Sequence, residues 1–314
     1  MSVVVEAVGP AAAAEVLAVV HAAFRDRPPL DPPTDALAET EESIAARLEP
    51  AGGLLARADG RPVGAVVLDP KPDEGALYLR RFGIVPDAQG MGVARKLVRE
   101  AVHYAQRNDL ARVAVLAREE LPATIGFWKG MGFCEVEVTS PYLRMEHLTP
   151  WQVTVPTADD MRTLAASVAP ALRPGDVLVL AGELGAGKTT FTQGLGEGLQ
   201  VRGGVTSPTF VISRVHPGLD GGPALVHVDA YRLGGAAELD DLDLDADLDE
   251  AITVVEWGHG VAEALTDSPL EIRIERALAA TDVEDGDDPR VVTIEPVGPG
   301  WVDRTLPIIR PDYA

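Results

Sequence analysis

Two α/β domains in tandem are predicted for this chain, an N-terminal mixed α/β sheet and a C-terminal domain with a mostly parallel sheet. Three observations predict them. The 314 residues, 46% of them hydrophobic, exceed one ordinary compact domain and supply material for two cores. Short β-branched, apolar runs alternate with stretches of helical spacing, the pattern of α/β folds. Formal charge divides unevenly: residues 1–150 hold 16 Lys+Arg against 21 Asp+Glu, or −5, and residues 151–314 hold 11 against 28, or −17.

A surface as acidic as that of the second half repels phosphate backbones, so the chain is not expected to grip DNA or RNA unaided. No apolar stretch approaches membrane-spanning length, and no basic start leads into an apolar run and a cleavage site. A cytoplasmic protein that binds no membrane is expected. Cys134 is the only cysteine, which excludes disulfides and cysteine metal clusters within the chain. On the apolar edge of Phe133-Cys134-Glu135-Val136 it reads as a small core residue.

The first half opens with a strand at Val3–Val5 and an apolar helix, Ala11–Phe24, started by Pro10 and broken by the proline-rich Arg27–Pro33. A second helix is expected over Leu37–Leu48. Strands follow at Gly53–Ala58 and Pro62–Leu68 around an Asp59-Gly60 hairpin turn. The next strand, Ala76–Val85, runs into Pro86-Asp87-Ala88-Gln89-Gly90-Met91-Gly92-Val93-Ala94 and then a helix, Arg95–Gln106. A strand feeding a glycine loop and a helix offers backbone amides to a phosphate. A strand at Val113–Ala117, a helix at Thr124–Met131 and strands at Cys134–Val138 and Leu143–Leu148 complete the half.

This order resembles the GNAT N-acetyltransferase family over residues 1–148. Its pyrophosphate-loop signature [QR]-x-x-G-x-[GA] is matched by Gln89, Gly92 and Ala94, and its late aromatic and Gly-Phe signature by Phe127, Trp128, Gly132 and Phe133. The resemblance implies that the amides of Gln89, Gly90, Met91, Gly92, Val93 and Ala94 receive the pyrophosphate of acetyl-CoA. It also implies that the acyl group lies in a splay beside the strand at Ala76–Val85. Trp128 stands where many relatives have a tyrosine that protonates the departing thiolate, and an indole N–H does no acid–base work near neutral pH. Arg80 and Arg81 stand where a carboxylate base is often found. They read either as a solvated sheet edge or as charge facing the substrate.

Leu148-Thr149-Pro150-Trp151 reads as the join, with a strand at Gln152–Val155, a capping box at Thr157–Asp160 and a helix over Met161–Val168 after it. A buried strand, Val177–Ala181, leads into Gly182-Glu183-Leu184-Gly185-Ala186-Gly187-Lys188-Thr189-Thr190, which satisfies G-x-x-x-x-G-K-[ST], and a helix follows over Phe191–Leu199. This is a phosphate-binding loop. Its amides face the phosphates of a nucleotide, Lys188 reaches the β/γ oxygens, and the Thr189 hydroxyl sits on Mg²⁺. Lys188 is also the sole lysine of the second half.

Two later strands end in acids, Leu225–Asp229 and Ile252–Glu256. In a parallel sheet both carboxylates reach the carboxyl edge beside the nucleotide, where they hold Mg²⁺ or orient water. Trp257 has two readings, stacking on a base or packing under the loop. The acidic, leucine-spaced run Glu238–Glu250 is expected to be folded with a solvated face. Thr281–Pro289 reads as a loop between strands at Leu270–Glu275 and Val291–Glu295.

Gly182–Thr190, Ser207-Pro208-Thr209-Phe210, His227-x-Asp229-x-Tyr231-Arg232 and Val255-Glu256-Trp257, in this order, resemble the TsaE family over residues 151–296. The resemblance implies an ATPase of P-loop NTPase fold that supports threonylcarbamoyladenosine synthesis on tRNA together with TsaD and TsaB, meeting tRNA only through that complex. It implies Thr189 and Glu256 at Mg²⁺, Lys188 on the phosphates, and switch roles for Ser207–Phe210 and His227–Arg232. Gly258 stands where relatives often have proline. The expected organisation is thus an acetyl-CoA domain over 1–148, an ATPase domain over 151–296 and a tail over 297–314. Two other functions compete with this one, a nucleotide-dependent assembly switch and a small-molecule kinase. The kinase needs an acceptor pocket and a basic lid, for which the second half has few arginines.

Overall fold

The computed structural model describes residues 3–25, 27–28, 30–208, 211–232, 249–258, 265–277, 289–302, 304 and 306. The acidic run lies outside these residues apart from Asp249 and Glu250, as do Thr209, Phe210, residues 281–288 of the expected loop and the end of the tail. The chain divides into two compact units, Met1–Thr149 and Pro150–Ala314.

The first unit contains β1 (Val3–Val8), α1 (Ala13–Phe24), α2 (Glu41–Leu48), β2 (Gly53–Ala58), β3 (Arg61–Lys71) and β4 (Ala76–Ile84). After these come α3 (Val93–Arg107), β5 (Arg112–Arg118), α4 (Pro122–Lys129), β6 (Cys134–Thr139) and β7 (Tyr142–Leu148). The sheet order is β1-β2-β3-β4-β5-β7-β6, and only β4 and β5 pair in parallel. Strand alternation sends Leu55, Ala65 and Val67 to the face covered by α1 and α2, and Leu54, Ala56, Val66 and Leu68 to the face covered by α3.

The helices are where the sequence places them, with shifted starts, and α2 begins later than the expected Leu37. Thr40 and Ser43 form a reciprocal capping box, so α2 begins at Glu41, and a separate 3₁₀ turn holds Asp35–Ala38. On α3, Val93, Leu97, Val98, Ala101, Val102 and Ala105 are buried on one face. Cys134 departs from its core reading. It opens an edge strand and is only partly buried, though burial still pushes its thiol pKa up.

The second unit contains β8 (Trp151–Val155), α5 (Ala158–Val168), β9 (Val177–Ala181), α6 (Lys188–Gly198), β10 (Ser213–His216) and β11 (Ala224–Asp229). Its remaining strands are β12 (Ala251–Glu256), β13 (Leu270–Arg276) and β14 (Arg290–Pro296). Their order is β10-β11-β12-β9-β13-β14-β8. The parallel part is β11-β12-β9-β13, and β10, β14 and β8 add antiparallel edges, so the sheet is mixed. Every residue of β12 is buried, which explains its unbroken apolar run.

Three glycines in α6 lower its helix propensity, and packing explains two of them. A Cβ at Gly194 would lie 2.3 Å from the Arg162 carbonyl oxygen, and one at Gly198 would lie 2.7 Å from that of Ala166. The backbones of α5 and α6 touch there, which fixes the helix that carries the phosphate-loop lysine. The stretch after β14 also packs on this unit. Trp301 is buried and donates its indole N–H to the Ser268 carbonyl (2.9 Å), and Arg304 pairs with Asp176 (2.6 Å).

Candidate functional site

The phosphate loop leaves the carboxyl end of β9, at the centre of the parallel strands. Gly182 follows the strand at φ +155°, and a Cβ there would meet the Ile274 carbonyl oxygen at 2.5 Å, so only glycine fits between β9 and β13. The turn is closed by Ala186 N–H donating to Glu183 O (3.1 Å), and α6 starts at Lys188 rather than Phe191, capped by Gly187 at φ +112°. The loop's amides therefore meet a helix N-terminus.

Lys188 is buried, and its ammonium donates to the carbonyls of Gly182 (2.8 Å) and Glu183 (3.0 Å). It also lies 3.8 Å from the ring centroid of Trp257. Burial lowers its pKa, and the charges of Glu256 and Asp229 oppose that shift. The Thr189 hydroxyl donates to Glu256 Oε1 (3.0 Å), and His227 Nε2 lies 2.9 Å from the same oxygen. Asp229 and Glu256 are opposite each other in register, and Asp229 Oδ1 accepts from the Tyr231 amide (3.1 Å). Trp257 packs beside Lys188 in a left-handed conformation (φ +60°), with the Tyr231 ring 5.3 Å away.

The fold thus brings together Lys188, Thr189, Asp229, Glu256 and Trp257. It leaves Leu184 at the loop tip, 88% exposed. Two contacts were not foreseen. His227 is fully buried and bonds the same carboxylate as Thr189, while Arg290 donates to the Ala186 carbonyl (3.1 Å) from a strand 104 residues away. His227 and Asp229 share a face of β11, so the spacing of two was a signal for the first. Nothing local marks Arg290.

A second site lies in the first unit. β4 and β5 pair only from Ala76 to Tyr78 against Arg112 to Ala114. Beyond that point a cleft of about 1560 Å³ is lined by both strands, α3 and α4. A bulge sets Arg81 and Phe82 of β4 opposite Val66, with Arg81 at φ +53°. Gln89, Gly90, Gly92, Val93 and Ala94 line the cleft, whereas Met91 packs into the apolar core. Trp128 stacks edge-on with Phe82, Phe127 and Phe133 at 4.8–5.0 Å. The solvated-edge reading of the arginine pair is corrected: Arg80 bonds Asp69 (3.1 Å), and Arg81 bonds Glu39 (2.6 Å) and Asp35 (2.7 Å), because the bulge turns Arg81 toward the α1–α2 face.

Comparison with known proteins finds matches to both units. A protein from Streptomyces coelicolor named tRNA threonylcarbamoyladenosine biosynthesis protein TsaE is 55% identical over 150 residues, which is 48% of this chain and 99% of the relative. The chain belongs to the TsaE family. The family model described as threonylcarbamoyl adenosine biosynthesis protein TsaE matches residues 155–282, and TsaE of Bacillus subtilis is 40% identical over 47% of this chain and 85% of its own. The TsaE region therefore coincides with the unit that holds Lys188 and Glu256. The acetyltransferase (GNAT) family model matches residues 17–133, and the first unit has the GNAT fold. A structure of the paia N-acetyltransferase of Thermoplasma acidophilum in complex with coenzyme A aligns with 46% of this chain and 98% of its own, at 14% identity and a TM-score of 0.42.

Proposed function

We propose that the C-terminal unit is the ATP-hydrolysing component of tRNA threonylcarbamoyladenosine synthesis and acts with TsaD and TsaB, and that the N-terminal unit is an acetyl-CoA-dependent N-acetyltransferase. The observation that carries the first part is the convergence of Thr189 and His227 on Glu256 beside Lys188. The amides of Glu183–Thr190 cradle the ATP phosphates, and the Lys188 ammonium exchanges its carbonyl partners for β/γ oxygens. Trp257 flanks that lysine and limits water around it.

The donors for a cation are the Thr189 hydroxyl and the carboxylates of Glu256 and Asp229, all hard oxygens, and this set fits Mg²⁺. Among the described residues no group of three His, Cys, Asp or Glu side chains could hold a metal ion, so phosphate and water oxygens would complete its shell. Bound there, Mg²⁺ would neutralise charge on the phosphates. His227 fixes the orientation of Glu256, and Asp229 is the group best placed to orient an attacking water. The acidity of this half keeps tRNA at a distance, so the nucleic acid is met through the partner complex.

A second reading makes ATP occupancy, rather than turnover, the signal for partner docking. The apolar side chains of Leu184 and Tyr231, 88% and 66% exposed around the loop, favour it. Reconstitution of the full chain with TsaD, TsaB, tRNA, a preactivated threonylcarbamoyl donor and ATP separates the two readings. Hydrolysis by the chain accompanying modified-nucleoside formation is the expected result, and equal formation with a non-hydrolysable analogue in place of ATP would favour the switch.

In the N-terminal unit the splay of β4 from β5 carries the reading. The acceptor nitrogen bonds to the acyl carbon, the C–S bond breaks, the nitrogen gives its proton to water, and the departing thiolate takes one from water because Trp128 holds no transferable acid proton. Calorimetry with acetyl-CoA tests it, and failure to bind would reduce the unit to a retained fold.

A further inference from the structure

The cleft between β4 and β5 is lined by an excess of positive charge although the chain has a net charge of −22. Most of that charge is neutralised by the chain itself. Arg47 and Arg81 pair with Glu39, Lys71 and Arg80 with Asp69, and Arg118 with Glu120. Two further cations line the cleft, Arg95 and Arg27, and neither has a carboxylate partner among the described residues. Arg95 is in the first turn of α3 beside the Gln89–Ala94 loop, so its charge belongs to the cofactor's phosphates.

Arg27 is on the other side. It follows α1, and α1 and α2 cover the sheet face opposite to α3. Its guanidinium lies 3.7 Å over the Phe24 ring. Phe24 and Ala23 in turn pack against β4 at Gly83, where a Cβ would come within 3.6 Å of Phe24 Cε2 and 2.8 Å of Ala23 Cβ. Arg27 is therefore anchored at the wall of the splay, on the face from which an acceptor would approach a thioester reached from the α3 side. Burial lowers its pKa and no acid offsets that shift, yet a guanidinium stays charged in proteins. Apart from Arg95, the other cations of the cleft have carboxylate partners, whereas the half-buried, ring-stacked Arg27 has none among the described residues.

We propose that Arg27 forms the acceptor-side anion subsite of the cleft, so that the amine receiving the acetyl group carries a carboxylate or phosphate that pairs with Arg27. The inference rests on the acetyltransferase reading. A planar guanidinium fork matches either anion in two-point contact. Cationic acceptors such as polyamines find no free carboxylate, because the two that line the cleft, Asp35 and Asp69, are already held by Arg81 and by Arg80 and Lys71. The group transfer is the one written above, with Arg27 holding the acceptor and exchanging no proton.

The test uses the full chain and two matched pairs of amines, β-alanine with β-alaninamide and phosphoethanolamine with ethanolamine. Calorimetry first measures acetyl-CoA binding, then the binding of each amine to the CoA-saturated protein, and thiol release from acetyl-CoA gives kcat/KM for each. The anionic member of at least one pair is expected to bind roughly tenfold to a hundredfold more tightly, as a charge-assisted contact allows. Arg27→Gln removes that preference through KM, Arg27→Lys keeps part of it, and acetyl-CoA affinity is the same in all three proteins. The pair with the larger preference identifies carboxylate or phosphate as the natural group. Equal binding within both pairs, or a preference that survives Arg27→Gln, overturns the subsite while acetyl-CoA binding stands. A wild-type chain that does not bind acetyl-CoA overturns the acetyltransferase reading itself.

Discussion

Asp229 and Glu256 stand opposite each other in register at the ends of two adjacent parallel strands, and both carboxylates are buried. Their charges oppose the effect of burial on the Lys188 ammonium. Three buried charges converge where the sheet meets the phosphate loop, the kind of cluster that is concentrated at functional sites.

Glu256→Gln separates charge from shape at this point. Glutamine keeps an oxygen for the Thr189 hydroxyl but removes the negative charge shared with His227. Mg²⁺-dependent ATP hydrolysis is expected to fall by at least roughly tenfold, the scale of a lost metal-site partner, while the melting temperature hardly moves. Hydrolysis at the wild-type rate would make Glu256 a structural acid and Asp229 the better candidate.

The phosphate loop, the two acid-ended strands and nearly all strand positions were legible in the sequence, because apolar alternation and a glycine motif are local signals. Val177–Ala181 and Gly53–Ala58 have the ends expected from their residues. The contacts that complete the sites were not local. The bond from His227 to Glu256 depends on the register of strands 29 residues apart, and Arg290 reaches Ala186 across 104 residues. The bulge at Arg81 and the docking of Trp301 likewise arise from tertiary packing, which periodicity does not encode.

Gly92 is in the left-handed region at φ +74°, and a Cβ at this position would meet nothing within 4 Å. Space is thus open in the free protein, and the strain of a β-branched residue at that φ is what displaces the loop. Gly92→Val is expected to lose acetyl-CoA binding in calorimetry and to leave ATP turnover intact. Retained affinity would show that the loop amides do not hold the pyrophosphate.

Gly194→Ala sets two effects of opposite sign against each other. Alanine gains about 1 kcal/mol in helix propensity, but its methyl would lie 2.3 Å from the Arg162 carbonyl, and overpacking of that kind costs about 1–3 kcal/mol. Backbone cannot step aside as a side chain can, so the C-terminal unit is expected to unfold at lower denaturant concentration. A higher midpoint would mean that α5 and α6 separate freely.

His147 packs against Phe133, and burial lowers its pKa below the ordinary 6.5. The unfolded chain therefore binds this proton more readily than the folded one. Its contribution is complete above about 6.5 and is lost as pH falls through the folded value. Denaturant titrations of the N-terminal unit should show stability declining below pH 6.5, and His147→Gln should flatten that limb. An unchanged slope in the variant would assign the decline to other groups.

In the proposed mechanism Lys188 works on ATP phosphates and not merely on the carbonyls of its own loop. Phosphate release from ATP by the full chain, in the presence of TsaD and TsaB, measures this most directly in the wild type and in Lys188→Ala. A transition-state charge contact of this kind is worth about 3–4 kcal/mol, so turnover is expected to drop roughly a hundredfold to a thousandfold with the fold intact by circular dichroism. Turnover at the wild-type rate in Lys188→Ala would show that Lys188 serves only the carbonyls of its own loop.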